Sequence, residues 1–134
     1  MGEFLYRLAN HENFGLRTKK GFQIGVVIAL TPYIVNSPQE ISTYQNISIL
    51  FHRHNSIPRG IHIAETKLID GKLRVIGVSG YVLIVTGSGQ TVKEARKQTY
   101  NRVKNIRLQN MFYRDDIGNR WYREKDKLQI WGYL

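Results

Sequence analysis

There is no cysteine in this sequence, so disulfide frameworks, thiolate metal sites and thiol nucleophiles are all excluded. Proline is scarce, at 3 residues. Acidic side chains are half as common as basic ones, 10 against 20. No apolar run approaches the ~18–20 residues that cross a bilayer, and the start lacks a signal-peptide pattern. Met1-Gly2 is followed by Tyr6 where an acylation motif wants Ser or Thr. These absences lead to the expectation of a soluble, cytoplasmic chain. What remains is 134 residues with 42% apolar content, room for one domain with its own core.

The formal net charge of +10 is the strongest compositional signal. It favours anionic company such as nucleic acid, phosphate metabolites or an acidic partner surface. The excess is spread along the chain, with 9 basic and 5 acidic groups in residues 1–90 and 11 and 5 in residues 91–134. A spread excess also suits a solvated surface.

Periodicity predicts an α+β domain. Phe4, Leu5 and Leu8 lie on one side of a short helix over residues 2–10, and residues 10–20 read as a polar connector. Phe22–Leu30 is nearly continuous apolar sequence and predicts a buried strand. Pro32 and Pro38 bracket a loop around Asn36-Ser37. Further strands are expected at Ile47–Phe51, Ile61–Thr66, Leu73–Val78 and Tyr81–Thr86, with Asp70-Gly71 as a hairpin turn. Thr91 and Glu94 form a capping box, and Val92, Ala95, Thr99, Val103 and Ile106 continue at helical spacing, which puts the main helix at about 91–106. An irregular stretch then leads to a C-terminal turn or helix carrying Trp121, Tyr122, Leu128 and Trp131. The expected sheet is mostly antiparallel, with helical pieces at both ends.

Several residue groups invite a functional reading. Thr86–Thr91 is a glycine-rich turn into a helix start, where free amides can hold phosphate. It matches neither the P-loop nor the dinucleotide fingerprint, and a tight strand-to-helix turn accounts for it as well. His52 and His54 sit at strand spacing with His62 as a third possible ligand, but no clustered carboxylate completes a metal site. Lys93, Lys97 and Lys104 with Tyr100 make a basic helix stripe with a ring, a pattern shared by nucleic-acid faces and ordinary solvated helix sides. Asn46-Ile47-Ser48 is a glycosylation sequon without a secretion signal. Asp115 and Asp116 are adjacent, so on a strand they point apart, and no catalytic triad or carboxylate pair is exposed by spacing.

Three ordered motifs carry a more specific likeness. They are Gly71-Lys72-Leu73, then Val82 to Arg96 with Gly87, Gly89, Thr91 and Glu94, then Met111 to Arg120 with Arg114, Asp116 and Gly118. Together they resemble the C-terminal domain of phosphoribosylamine–glycine ligase, also called glycinamide ribonucleotide synthetase. Gly21–Ala29 resembles that domain's first strand and Leu128–Leu134 its closing Trp-Gly-Tyr-Leu tail, so the likeness runs from about residue 21 to 134. Residues 1–20 resemble the end of the preceding ATP-grasp lobe.

The resemblance implies a barrel-sandwich-like domain of an ATP-grasp ligase that joins glycine to 5-phosphoribosylamine in purine biosynthesis, using ATP and magnesium. The nucleotide and metal sites of such enzymes lie in the preceding lobes. This chain alone is therefore expected to hold no cofactor, no metal and no catalytic residue. Its implied role is to complete the substrate pocket and pack on those lobes. A Lys and an Arg of related domains hold the substrate phosphate. Their positions here are Lys67 and Tyr81, so an Arg of the family pattern is replaced by a phenol. The family's His-Ala-Gly-Thr segment reads Ile63-Ala64-Glu65-Thr66, which adds a negative charge. Arg114, Asp116, Gly118 and Arg120 form the most family-like loop, readable as a substrate- or lobe-facing loop or as an ion pair that fixes an irregular turn. Two alternatives stand beside this reading: a basic nucleic-acid-binding module, and a stand-alone interaction domain descended from the ligase.

Overall fold

The computed structural model describes residues 2–12, 15, 19–31, 38–52 and 56–133, with the backbone alone at 38, 40 and 44. The loop expected around Asn36-Ser37, and His54, lie outside the described residues. Among the described residues twelve elements follow one another. They begin with α1 (Gly2–Ala9), β1 (Phe22–Leu30), α2 (Pro38–Tyr44), β2 (Ser48–Phe51), β3 (Ile61–Ile63) and β4 (Thr66–Ile69). They continue with β5 (Lys72–Val75), β6 (Tyr81–Gly89), α3 (Val92–Val103), β7 (Ile106–Arg107), β8 (Met111–Phe112) and α4 (Trp121–Ile130).

The strands form two antiparallel four-stranded sheets, ordered β3-β6-β1-β8 and β4-β5-β2-β7. The α+β expectation therefore holds. One core cluster draws on both sheets and on α3. It contains Ile24, Val26, Ile28 and Leu30 of β1, Val85 of β6, Ile49, Leu73 and Val75 of the second sheet, and Ala95 and Val103 of α3.

Four local outcomes differ from the sequence expectation. β1 is not buried on both faces. Ile24, Val26 and Ile28 face the core, while Gly25 and Val27 are exposed, because an antiparallel sheet needs cover on one side only. The strand expected at Ile61–Thr66 is broken at Ala64-Glu65, so that β3 joins the first sheet and β4 the second. A helix, α2, follows Pro38, where fixed φ and a missing N–H are tolerated in a first turn. α3 ends at Val103, and Ile106 reaches the core from β7 instead.

Other features follow their sequence signals. Asp70 and Gly71 both take positive φ, at 50° and 71°, as a two-residue hairpin turn of the primed type requires. The capping box forms: Glu94 N–H donates to Thr91 Oγ1 at 3.2 Å, and the Glu94 carboxylate accepts from Thr91 N–H at 3.4 Å and from Gln90 N–H at 2.8 Å. α4 is anchored by Trp121, whose ring meets Phe22 edge-on at 4.8 Å. α1 has no buried residue, and Leu5, Tyr6 and Leu8 are exposed.

Candidate functional site

Lys67 and Tyr81 lie on strands of different sheets, β4 and β6, which meet at Glu65. The Glu65 N–H donates to the Tyr81 carbonyl at 3.4 Å, and the Glu65 carbonyl accepts from Ile76 N–H at 3.0 Å. The Glu65 carboxylate accepts from Ser79 N–H at 3.0 Å and from the Ser79 hydroxyl at 2.8 Å. The Ser79 hydroxyl oxygen accepts in turn from Tyr81 N–H at 3.2 Å. Gly77 leaves the space for this carboxylate, since a Cβ there would stand 1.8 Å from Glu65 Oε2. The negative charge foreseen beside the phosphate position is thus bound by the Ser79 turn. It forms no ion pair with Lys67 among the described residues.

Lys67 is exposed on β4, and the hairpin register sets it directly across from Arg74 on β5. Arg74 is half-buried, and its Nη1 donates to the Asn46 carbonyl at 3.0 Å. Sequence reasoning did not single out Arg74. The signal was nevertheless present, because a two-residue turn at Asp70-Gly71 pairs 69 with 72, 68 with 73 and 67 with 74.

The loop after β8 is built on ion pairs and backbone caps. The Arg114 Nε and Nη2 groups donate to the two Asp116 carboxylate oxygens at 2.9 and 2.7 Å. This bidentate contact raises the Arg114 pKa and lowers that of Asp116. Gly118 has φ +85°, and Arg120 pairs with Glu124 at 2.9 Å on the first turn of α4. Arg96 of α3 reaches across to the Ile117 carbonyl and to the Asp115 carbonyl. Tyr100 donates to the Arg114 carbonyl at 2.9 Å and accepts from Ile117 N–H at 3.2 Å. Burial raises the Tyr100 pKa, the largest of several influences on it. Arg114, Asp116, Gly118 and Arg120 therefore come together as one braced loop, and both cations among them already hold a carboxylate.

The same contacts bear on the basic stripe of α3. Lys93, Lys97 and Lys104 are exposed, while Tyr100 is half-buried, holds two hydrogen bonds through its hydroxyl and has the Arg96 guanidinium 5.2 Å over its ring. The glycine-rich turn also has a packing cause. Gly87 and Gly89 belong to β6, and a Cβ on Gly87 would lie 2.3 Å from Thr99 Oγ1. The amides of Gln90 and Thr91 are taken by Glu94. His62 is tied to Thr86 Oγ1 at 3.1 Å on β3, while His52 follows β2 in the other sheet. Among the described residues no three His, Asp or Glu side chains gather as a metal site. A hollow of about 460 Å³ opens between Phe51, Ile57, Leu68 and Leu73, with Ser56 and Lys72 as its polar lining.

A small two-sheet α+β domain with a strand-to-helix β6–α3 unit and exposed cations on one hairpin is the architectural class defined here. The family described as "Phosphoribosylglycinamide synthetase, C domain" matches residues 23–120, and the chain belongs to it. It is 34% identical over 96 residues to phosphoribosylamine–glycine ligase of Xylella fastidiosa, covering 71% of this chain and 20% of that protein. It is 39% identical over 95 residues to the ligase of the same name from Salmonella typhimurium, covering 71% and 21%. The crystal structure of phosphoribosylamine–glycine ligase from Thermotoga maritima superimposes with a TM-score of 0.64 at 25% identity, covering 84% of this chain and 26% of that one. The chain thus spans about a fifth of the length of the curated relatives it matches.

Proposed function

We propose that this chain acts as the C-terminal domain of a phosphoribosylamine–glycine ligase and holds the phosphate of the phosphoribosyl substrate. The carrying observation is Lys67, an exposed cation at the position to which the resemblance assigns the phosphate-binding Lys, with no carboxylate in reach among the described residues. An ammonium is a suitable point charge for a phosphate dianion. The Tyr81 hydroxyl, half-exposed at the start of β6, adds one hydrogen-bond donor where related domains carry a guanidinium.

ATP and magnesium belong to the other lobes in this reading. The donor set here does not suit them: the helix-start amides are capped by Glu94, and the described carboxylates do not cluster. Bond formation between glycine and 5-phosphoribosylamine is accordingly the work of a longer enzyme, and this domain positions one substrate for it. The exposed Leu5, Tyr6 and Leu8 of α1 suit packing on those lobes. A cytoplasmic location fits the same chemistry.

Titration of the chain with ribose 5-phosphate tests the reading. Weak saturable binding that is lost in Lys67→Ala is the expected result. No binding at millimolar ligand overturns the substrate-phosphate role.

A further inference from the structure

We infer that Arg74 and Lys72 complete the phosphate site, so that three cations of one hairpin face hold a single phosphate dianion. This rests on the reading of Lys67 above and supplies the charge missing at Tyr81. The geometry follows from register. Lys67 stands directly opposite Arg74, which puts their Cβ atoms about 5 Å apart on one face. Lys72 lies two residues before Arg74 and therefore on the same face, paired with Ile69 at the turn end of the ladder. Leu73 and Val75 point the other way into the core.

Like charges directly across a ladder oppose each other, and an unliganded sheet gains nothing from them. The usual remedy is an intervening carboxylate, and none is present among the described residues. Asp70 sits at the turn tip without an ion pair among the described residues, and Glu65 is engaged by Ser79. Arg74 is the preorganised member. Its Nη1 is fixed by the Asn46 carbonyl, and its Nε is buried with no hydrogen-bond partner among the described residues. A phosphate oxygen near this pair relieves the repulsion and receives charge-assisted hydrogen bonds from the guanidinium and both ammonium groups. The ligand class is a phosphate dianion, supplied by a sugar phosphate or by free phosphate.

The full chain is titrated with ribose 5-phosphate, inorganic phosphate and ribose, and the titrations are repeated on variants whose folding is checked by thermal melting. Lys72→Ala, at an exposed site, and Arg74→Met, which keeps the stem, are each expected to weaken ribose 5-phosphate binding roughly five- to tenfold. Arg74→Lys retains part of it. Lys67→Glu is the sharpest variant. It abolishes binding yet raises the melting temperature of the free chain, because it exchanges a repulsive cross-strand pair for an attractive one. Tighter binding of the ester than of inorganic phosphate assigns the site to the substrate, and equal binding assigns it to free phosphate. Both results support the cluster. If Lys67→Ala loses binding while folded Lys72→Ala and Arg74→Met bind like the parent, the cluster is wrong and the Lys67 reading stands. If the parent chain binds no phosphate, both fall. Far tighter binding of polyuridine than of the monoester also overturns the cluster, since the contact is then an extended backbone.

Discussion

Gly87 shows how a residue chosen for one reason resembles a residue chosen for another. A glycine two positions before Gly89, at the start of a helix, reads as a phosphate-binding turn. In the fold it is a packing glycine. A methyl group there would lie 2.3 Å from Thr99 Oγ1 and 2.7 Å from the Ala95 carbonyl, so α3 would have to lift from β6. Gly87→Ala is therefore expected to destabilise the domain by about 3 kcal/mol, visible as a lower urea midpoint. An unchanged midpoint would show that α3 is not seated on β6 in this way. Glu65 was similarly legible only as a charge. Its actual work, tying the Ser79 turn to the β3–β4 junction, depends on a chain reversal that no local pattern marks.

At the scale of elements, local chemistry was legible wherever it decided the structure. The capping box and the Asp70-Gly71 turn formed as their residues require. The break at Ala64-Glu65 was hidden because Ile61–Thr66 looks like one strand, and only the partner strands separate it between two sheets. The β8–α4 loop had a visible motif and an invisible brace. Tyr100 closes it from α3 through two hydrogen bonds, so Tyr100→Phe is expected to lose about 1–2 kcal/mol, measured by urea denaturation. Its pH dependence has a definite sign. Burial raises the phenol's pKa above its ordinary 10.0, so the folded state favours the neutral ring. That contribution is complete below pH 10.0 and is lost as pH rises through the folded value. The gap in stability between the native chain and Tyr100→Phe should narrow on the alkaline side. A gap that is constant with pH would contradict the burial of this hydroxyl.

The whole molecule separates two kinds of positive charge. Arg96, Arg114 and Arg120 are spent on the loop between β8 and α4, where carbonyls and carboxylates hold them. Lys67, Lys72 and Arg74 share one hairpin face and have no carboxylate among the described residues. The family to which residues 23–120 belong was legible from the order of three motifs. The cationic face was overlooked because its meaning lies in cross-strand register rather than in spacing along the chain. At the start of α3 the Gln90 and Thr91 amides are both taken by Glu94.

The most direct test is a heteronuclear NMR titration of the ¹⁵N-labelled chain, first with ribose 5-phosphate and then separately with magnesium ATP. Amide shifts gathered at Lys67, Lys72, Arg74 and Tyr81 for the sugar phosphate are predicted, with the Gly87–Glu94 amides unmoved by ATP. Shifts centred on Gly87–Glu94, or a sugar phosphate that moves none of the hairpin amides, would contradict it.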